Sequence, residues 1–395
     1  MAAGASRDAV GALERGGTAA AVARKAWVTA SPLRNIRKSL AFAPLLGLLY
    51  ACSPGAPPAP APKPPVAATP QLPAQPPAQP PTPPPAPPIP AMAQAINGAA
   101  FAPGSAPVPP KTADPVLIRA EVLLDRASLS PGVIDGLVGS NAKKAIAAFQ
   151  TGQSLTPSGQ LDAQTWTLLT RDTRPAVQSY TITAADVAGP FSPNVGEDFV
   201  KLAALPNGPT YVSPLQELAE RFHMSQGLLQ ALNPNANLGA AGTVIWVAAP
   251  GAPAFAKGDV KHIVVSKAKD QVFAYGDDKK LLAVYPATVG STERPSPHGH
   301  HKINGVAWNP DYVYDPSKLK WGPRSHGKFT IKPGPEGPVG VVWMDINAPS
   351  YGIHGAPDPT LIGKTASHGC VRLTNWDALA LAHGVKPGVP VDFVS

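Results

Sequence analysis

The chain has 395 residues, a formal net charge of +8, 51 prolines and only 15% charged residues. This length allows two or three domains, but so many prolines and so few charges indicate that much of the chain is linker. The basic residues form no Lys/Arg block, which argues against nucleic-acid binding, and contact with a carboxylate-rich polymer is the easier interpretation.

Residues 1–52 have the form of an export signal. A basic stretch at 34–38 precedes an apolar run at 39–51 that is too short to span a membrane, and Cys52 follows. The Leu-Tyr-Ala sequence before Cys52 resembles a bacterial lipobox, with a tyrosine where a small residue is usual. The resemblance implies that Cys52 is lipidated, and a plain cleaved signal peptide is the alternative. Because the basic stretch lies so far into the chain, we expect the true translation start near residue 28 or 33.

Residues 53–110 are almost wholly Pro and Ala, so they are predicted to be a disordered linker without a core. Polyproline II rises about 3.1 Å per residue, which gives a reach of roughly 180 Å. The residue after Cys52 is Ser53, where an Asp often retains lipoproteins in the inner membrane. We therefore expect an exported, periplasmic protein with a lipid anchor in the outer membrane. A passive spacer fits the same geometry.

Helical periodicity begins at Asp114-Pro115 and recurs at about 141–150 and 163–170. An Asp-Gly turn, an Ala-Phe-Gln segment and a Thr-Trp pair punctuate these three helices. The order resembles the three-helix peptidoglycan-binding domain, which implies that residues 111–175 bind the glycan of the wall. An anonymous helical spacer is the alternative.

Residues 178–250 contain two short predicted helices within 211–234 and a strand at 244–248. The pattern resembles a LysM module, a small glycan-binding α/β fold. The Gly-Asp-Thr turn that usually opens LysM is absent, and 183–209 is an insertion without a counterpart. A structural adaptor that packs on the following domain is the alternative.

Residues 258–395 alternate as strands do, and they predict a mainly β domain with one or two helices. Asn375 is predicted to cap a helix at 376–382, and residues 389–393 are predicted to close the domain as an edge strand. The fold class is therefore multidomain α+β, with a three-helix domain, a small α/β module and a C-terminal β domain. The predicted strands lie at 263–265, 272–275, 281–285 and 341–344.

The segment 351–375 places His354 close in sequence to a Ser367-His368-Gly369-Cys370 run. A cysteine attacks as thiolate, so catalysis needs a group that removes its proton near neutral pH, and an imidazole is the usual one. Gly369 permits a close backbone approach, so the N–H groups around Cys370 are candidates to face an oxyanion.

At these residues the chain resembles the L,D-transpeptidase family of cell-wall enzymes, the YkuD or ErfK type. The family signature reads His-Gly, a spacer, then Ser-His-Gly-Cys-x-Arg-x-x-Asn, and here it runs from His354-Gly355 to Asn375. The similarity covers about 261–393. It implies that Cys370 is the nucleophile, His354 its base and the Gly355 carbonyl an orienter of the imidazole. It also implies that the Gly369 and Cys370 N–H groups hold the oxyanion.

The resemblance implies attack on the carbonyl between the third, diamino-acid residue of a peptidoglycan stem and the D-Ala that follows. The acceptor is an amine of a neighbouring stem, of a lysine in a wall-attached lipoprotein, or of a free D-amino acid. Water as acceptor would make the enzyme a hydrolase of stem peptides. A catalytically silent tether between membrane and wall is a further alternative.

The remaining motif residues have supporting roles in this interpretation. His368 is expected to pack under the loop and bond the backbone, and a direct catalytic role is the alternative. Arg372 either binds a substrate carboxylate or pairs within the protein. Ser367 and Asn375 shape and cap the loop, while Tyr351 extends the match before the base. No cofactor or metal is expected, and the alternative is adventitious metal binding at His298, His300 and His301.

Overall fold

A computed structural model describes residues 89–104, 109, 111–252, 255–317 and 325–395. The predicted signal peptide, the predicted lipidation site Cys52 and most of the predicted linker lie outside these ranges. None of the helices in the described ranges is both long and apolar enough to cross a bilayer.

The end of the predicted linker is folded, which corrects the prediction of disorder up to residue 110. Helix α1 spans Ala91–Asn97, and its Ala93 and Ile96 are fully buried. Residues 91–102 contain no proline, and they carry apolar side chains four residues apart. That spacing gives a helix one apolar face, which packs into the core of the following domains.

The three predicted helices are present as α2 (Pro115–Arg126), α3 (Ser140–Gly152) and α4 (Ala163–Leu169). The Asp114 carboxylate caps α2 by accepting from the Val116 N–H at 2.8 Å, and Asp162 caps α4 through the Thr165 N–H at 2.7 Å. Their apolar faces meet in one core formed by Leu123, Leu124, Ile146, Phe149 and Leu169.

The next module is a βααβ unit with an insertion. Strand β1 (Val177–Thr181) pairs antiparallel with β2 (Val244–Ala248), and α7 (Pro214–Arg221) and α8 (Gln226–Leu232) pack beneath them. The insertion at 183–209 adds two further helices before α7. These are α5 (Ala184–Ala188) and α6 (Phe199–Ala204).

The C-terminal domain is built on a nine-stranded sheet among the described residues. Its strand order is β5-β4-β3-β13-β7-β10-β11-β12-β6, and β8 and β9 pair separately as an antiparallel couple. Helix α9 packs on β10 and β11. The bounds are β3 (His262–Ser266), β4 (Gln271–Tyr275), β5 (Leu281–Pro286), β6 (Thr288–Val289), β7 (Gly299–Trp308), β8 (Tyr312–Tyr314), β9 (Phe329–Ile331), β10 (Val342–Ile346), β11 (Gly352–His354), β12 (Val371–Arg372), α9 (Asn375–Gly384) and β13 (Pro390–Val394).

Two local predictions for this domain were wrong. Strand β13 is internal, because it pairs in parallel with β3 and antiparallel with β7. The cap of α9 is Thr374, whose hydroxyl accepts from the Asp377 N–H at 3.1 Å, and Asn375 is the first helical residue. Threonine and asparagine both cap helices, so the sequence Thr374-Asn375 does not indicate which of the two is the N-cap.

The helical domain contacts the C-terminal domain directly. The Ser130 N–H donates to the Val284 carbonyl at 2.9 Å, and the Val284 N–H donates to the Ser128 carbonyl at 3.0 Å. The chain beside Leu129 thereby forms a parallel bridge with β5, at the end of the large sheet. On α3, the Asn141 amide donates to the Ile362 carbonyl at 2.9 Å.

Candidate active site

Two adjacent strands bring together the residues that the sequence singled out. Strand β11 ends at His354, and β12 begins one residue after Cys370. The two strands pair in parallel, with Ile353 opposite Val371 and His354 opposite Arg372. Cys370 thus lies directly before the strand that pairs with the strand carrying His354.

The geometry around His354 makes it a neutral base. The residue is buried, and its Nδ1 lies 2.6 Å from the Gly355 carbonyl oxygen, which can only accept, so Nδ1 carries the hydrogen and Nε2 keeps its lone pair. Its ring stacks on Trp343 at 5.2 Å. Burial lowers the pKa of His354 to about 3, the charge of Arg372 acts in the same direction, and the Gly355 bond opposes both. The contact expected of the Gly355 carbonyl is thus present.

Cys370 is half-buried, and its Sγ lies 3.7 Å from the Ser350 carbonyl oxygen. Desolvation of the thiol raises the pKa of Cys370 to about 11, against the smaller opposing effects of a backbone hydrogen bond with Gly352 and of the Arg372 charge. With His354 also neutral, the resting pair is a thiol beside an imidazole. Proton transfer from Sγ must therefore accompany nucleophilic attack.

Ser367 shapes the loop that carries the thiol. Its buried Oγ accepts from the Gly290 N–H at 2.8 Å and from the Gly369 N–H at 3.2 Å, and it donates to the Cys370 carbonyl at 2.6 Å. The expectation that the Gly369 N–H faces an oxyanion is therefore not met in this structure. A hydroxyl has one donor and two acceptor positions, and here all three are used.

Gly369 occupies a position that only glycine fits. Its φ is +113°, and a Cβ there would lie 2.6 Å from the Tyr351 ring. Its carbonyl accepts from the buried Ser296 hydroxyl at 2.7 Å. The Tyr351 ring therefore packs against the loop that carries Cys370.

Asn375 ties the motif to a residue that the sequence did not single out. Its Nδ2 donates to Glu220 Oε1 at 2.8 Å, and its Oδ1 accepts from the Val341 N–H at 3.2 Å. Glu220 lies on α7 of the upstream module and also accepts from the Tyr211 hydroxyl at 3.2 Å. Burial raises the pKa of Glu220 to about 8. No local pattern around Glu220 could have indicated a partner 155 residues away.

A cavity of about 830 Å³ is lined in part by His368 and Arg372, which lie two residues before and after Cys370 in the sequence. His368 is exposed, so the expectation that it packs under the loop is wrong. Arg372 is half-buried, and its charge lowers the pKa of both His354 and Cys370.

Tyr312 on β8 is a second residue that the sequence analysis missed. Burial, and secondarily the charge of Cys370, raises the pKa of this tyrosine.

Within the described ranges, no group of three or more His, Cys, Asp and Glu side chains is placed to hold a metal ion. The histidines at 298–301 have other contacts. His300 Nδ1 lies 2.7 Å from an Asp392 oxygen, and His301 Nε2 lies 3.1 Å from the His298 carbonyl.

Two regions of the chain are similar to known protein families. Residues 260–392 match the YkuD family, described as "L,D-transpeptidase catalytic domain", and residues 117–169 match the family described as "Putative peptidoglycan binding domain". A protein from Bacillus licheniformis named "Putative L,D-transpeptidase YkuD" is 44% identical over 68 residues, which are 16% of this chain and 41% of that protein. Its namesake from Bacillus subtilis is 29% identical over 182 residues, or 45% of this chain and 91% of that protein.

Among solved structures, L,D-transpeptidase 3 from Mycobacterium tuberculosis with a faropenem-derived adduct is 19% identical, with a TM-score of 0.30. The alignment covers 39% of this chain and 75% of the mycobacterial chain. The match of the first Bacillus relative covers less than half of that relative, whereas the second is covered almost completely. This chain is therefore similar to L,D-transpeptidase catalytic domains over residues 260–392 and to peptidoglycan-binding domains over residues 117–169.

Proposed function

We propose that Cys370 is the nucleophile and His354 the base in acyl transfer between peptidoglycan stem peptides. The observation that carries this proposal is the fixed imidazole. Its Nδ1–H donates to the Gly355 carbonyl, so the lone pair lies on Nε2, which is the ring atom that can accept a proton. The substrate class follows from the family match of residues 260–392.

In the first half-reaction, Cys370 Sγ bonds to the carbonyl carbon of the third stem residue while its proton passes to His354 Nε2. The bond to D-Ala then breaks, and the leaving amine takes that proton, which leaves a thioester. In the second half-reaction, an acceptor amine loses a proton to His354 and attacks the thioester. The new amide forms, and Sγ leaves and regains its proton.

The tetrahedral intermediate carries an oxyanion that needs a hydrogen-bond donor. Since Ser367 Oγ engages the Gly369 N–H, we assign this role to the Cys370 N–H. Ser367 also donates to the Cys370 carbonyl, which fixes the orientation of that peptide.

We assign supporting roles to the upstream parts of the chain. The helical domain binds wall glycan, as its family match implies. The βααβ order of the second module supports a LysM-like interpretation, and its insertion departs from that fold. Cys52 remains the proposed lipid attachment site, which would place an exported protein on the outer membrane with its linker reaching the wall.

Mass spectrometry of the purified protein with disaccharide-tetrapeptide fragments tests the proposal, with Cys370→Ala as the matched variant. We expect a dimer linked between two third-position residues from the wild type and none from the variant. Release of tripeptide alone would indicate hydrolysis. Unchanged fragments with both proteins would support the silent-tether alternative.

A further inference from the structure

The insertion at 183–209 packs against the pair of strands that lies beside the nucleophile. On α6, Phe199 meets Tyr312 edge to face at 5.5 Å and Tyr314 at 5.6 Å. Leu202 and Leu205 continue this contact as an apolar cluster with Ile331 of β9. The aromatic and aliphatic contacts thus join the upstream module to both β8 and β9.

The same insertion follows the catalytic domain beyond the strands. Lys332 Nζ donates to the Pro206 carbonyl at 2.6 Å, and the Glu336 N–H donates to the Pro209 carbonyl at 3.0 Å. Gly208 has a φ of +76°, and a Cβ there would lie 2.5 Å from the Pro333 carbonyl oxygen. Such a close backbone approach indicates a permanent interface rather than a loose contact.

The cavity of about 830 Å³ is lined by residues from both sides of this interface. Val195, Phe199 and Leu202 of the insertion line it together with His368 and Arg372, which flank Cys370 in the sequence. At about 830 Å³ the cavity is in the size range of sites that bury a drug-sized ligand or a short peptide. A wall-binding module that acted independently of the C-terminal domain would not share the lining of a cavity with it.

We propose that the insertion 183–209 is the outer wall of the stem-peptide site, and that Phe199 is a positioning residue that holds Tyr312 against that site. The inference rests on the proposed transpeptidase function. It assigns the upstream module a part in substrate selection, whatever its affinity for glycan. A stem peptide is long enough to contact this wall, whereas a small acylating β-lactam reaches only the thiol.

The test compares two reactions of the full-length protein in wild type, Phe199→Ala and Phe199→Leu. One is consumption of a tetrapeptide stem, followed by mass spectrometry, and the other is covalent labelling of Cys370 by a small carbapenem. Because loss of the Phe199 ring removes the contact that holds Tyr312, we expect Phe199→Ala to raise the KM for the stem about tenfold with little change in kcat. Carbapenem labelling should stay within about twofold, and Phe199→Leu should recover part of the stem reaction through its packing volume.

Phe273→Ala is the matched control. It removes an equally half-buried aromatic ring from β4, which lies near the end of the large sheet that is opposite β12. An unchanged stem KM in Phe199→Ala would overturn the proposal. An equal loss of both reactions in a variant that keeps its near-ultraviolet circular dichroism would also overturn it, because Phe199 would then act on the thiol itself. If Phe199→Ala does not fold, Lys332→Met tests the same interface, with the same outcomes. Failure of the wild type to label at Cys370 would instead refute the proposed function.

Discussion

Replacing Glu220 with Gln should change how the stability of the protein depends on pH. Glu220 is buried between Asn375 and Tyr211, and burial raises its pKa to about 8. An acid whose pKa is higher in the folded state binds its proton more tightly there than in the unfolded chain. Its contribution to stability is therefore complete at low pH, and it is lost as the pH rises from the unfolded pKa towards 8.

The size of the effect follows from this shift. A proton held only by the folded state changes the free energy of unfolding by about 1.4 kcal/mol per pH unit. Between pH 6.5 and 8 the protonated fraction of Glu220 in the folded protein falls, so the loss of stability per pH unit becomes smaller as the pKa is approached. The total loss in the free energy of unfolding over this range is roughly 1.5 kcal/mol. Burial also raises the pKa of Asp377 and of Glu336 to about 7, so these groups add losses of the same sign in the wild type.

Gln keeps the size of the side chain and an acceptor for Asn375, but it does not titrate. Urea unfolding of wild type and Glu220→Gln at half-unit steps from pH 6.5 to 8.5 gives the two slopes. We expect the variant to lose roughly 1.5 kcal/mol less than the wild type between pH 6.5 and 8. Glu197→Gln, on the exposed part of the insertion, controls for the change in net charge. Identical slopes for wild type and Glu220→Gln would refute the reasoning, because Glu220 would then be ionised in the folded protein.

Four further predictions concern the site itself. Because His354 is already neutral above about pH 3, the rate of Cys370 labelling by a carbapenem should show no inflection between pH 5 and 8 in stopped-flow measurements. His354→Gln should lower that rate by about 10²–10⁴-fold, and a loss below tenfold would remove its role as base. Ser367→Ala leaves the Gly369 N–H unsatisfied and should cost about 1–3 kcal/mol in urea unfolding, whereas an unchanged midpoint would contradict the hydrogen-bond assignment. Gly369→Ala forces a Cβ against Tyr351, so labelling followed by mass spectrometry should be lost, and retained labelling would show that the loop can relax.

The parts of the fold that the sequence predicted are those with local signals. Helices α2 and α4 begin after an Asp cap, and the strands of the large sheet show alternation or short apolar runs. The closeness of the His354 strand to the Cys370 loop was predictable for another reason, because both residues lie within one motif of chemically unusual residues. Even there, the exposure of His368 was missed, since a motif does not specify which side of a loop faces solvent.

The contacts between modules had no such signal. Phe199, Glu220 and Tyr312 each look like ordinary residues of a short helix or strand, and their roles come from partners more than a hundred residues away. The insertion at 183–209 also has no counterpart in the LysM fold that this module resembles. Its apolar residues serve a surface of the C-terminal domain rather than the core of its own module. The internal position of β13 likewise depends on pairing with β3 and β7, which the order of strands along the chain does not determine.

The bridge between the helical domain and β5 bears on aggregation. Strand β5 stands at one end of the strand order, so it is an edge strand of the large sheet. An open edge presents unpaired N–H and C=O groups to other chains. The backbone around Leu129 occupies part of that edge, and the helical core covers Val284 beside it. A fragment that begins at residue 258 would expose both the edge and this apolar surface. We therefore expect such a fragment to self-associate in light-scattering measurements, whereas a chain that retains the helical domain protects its own sheet.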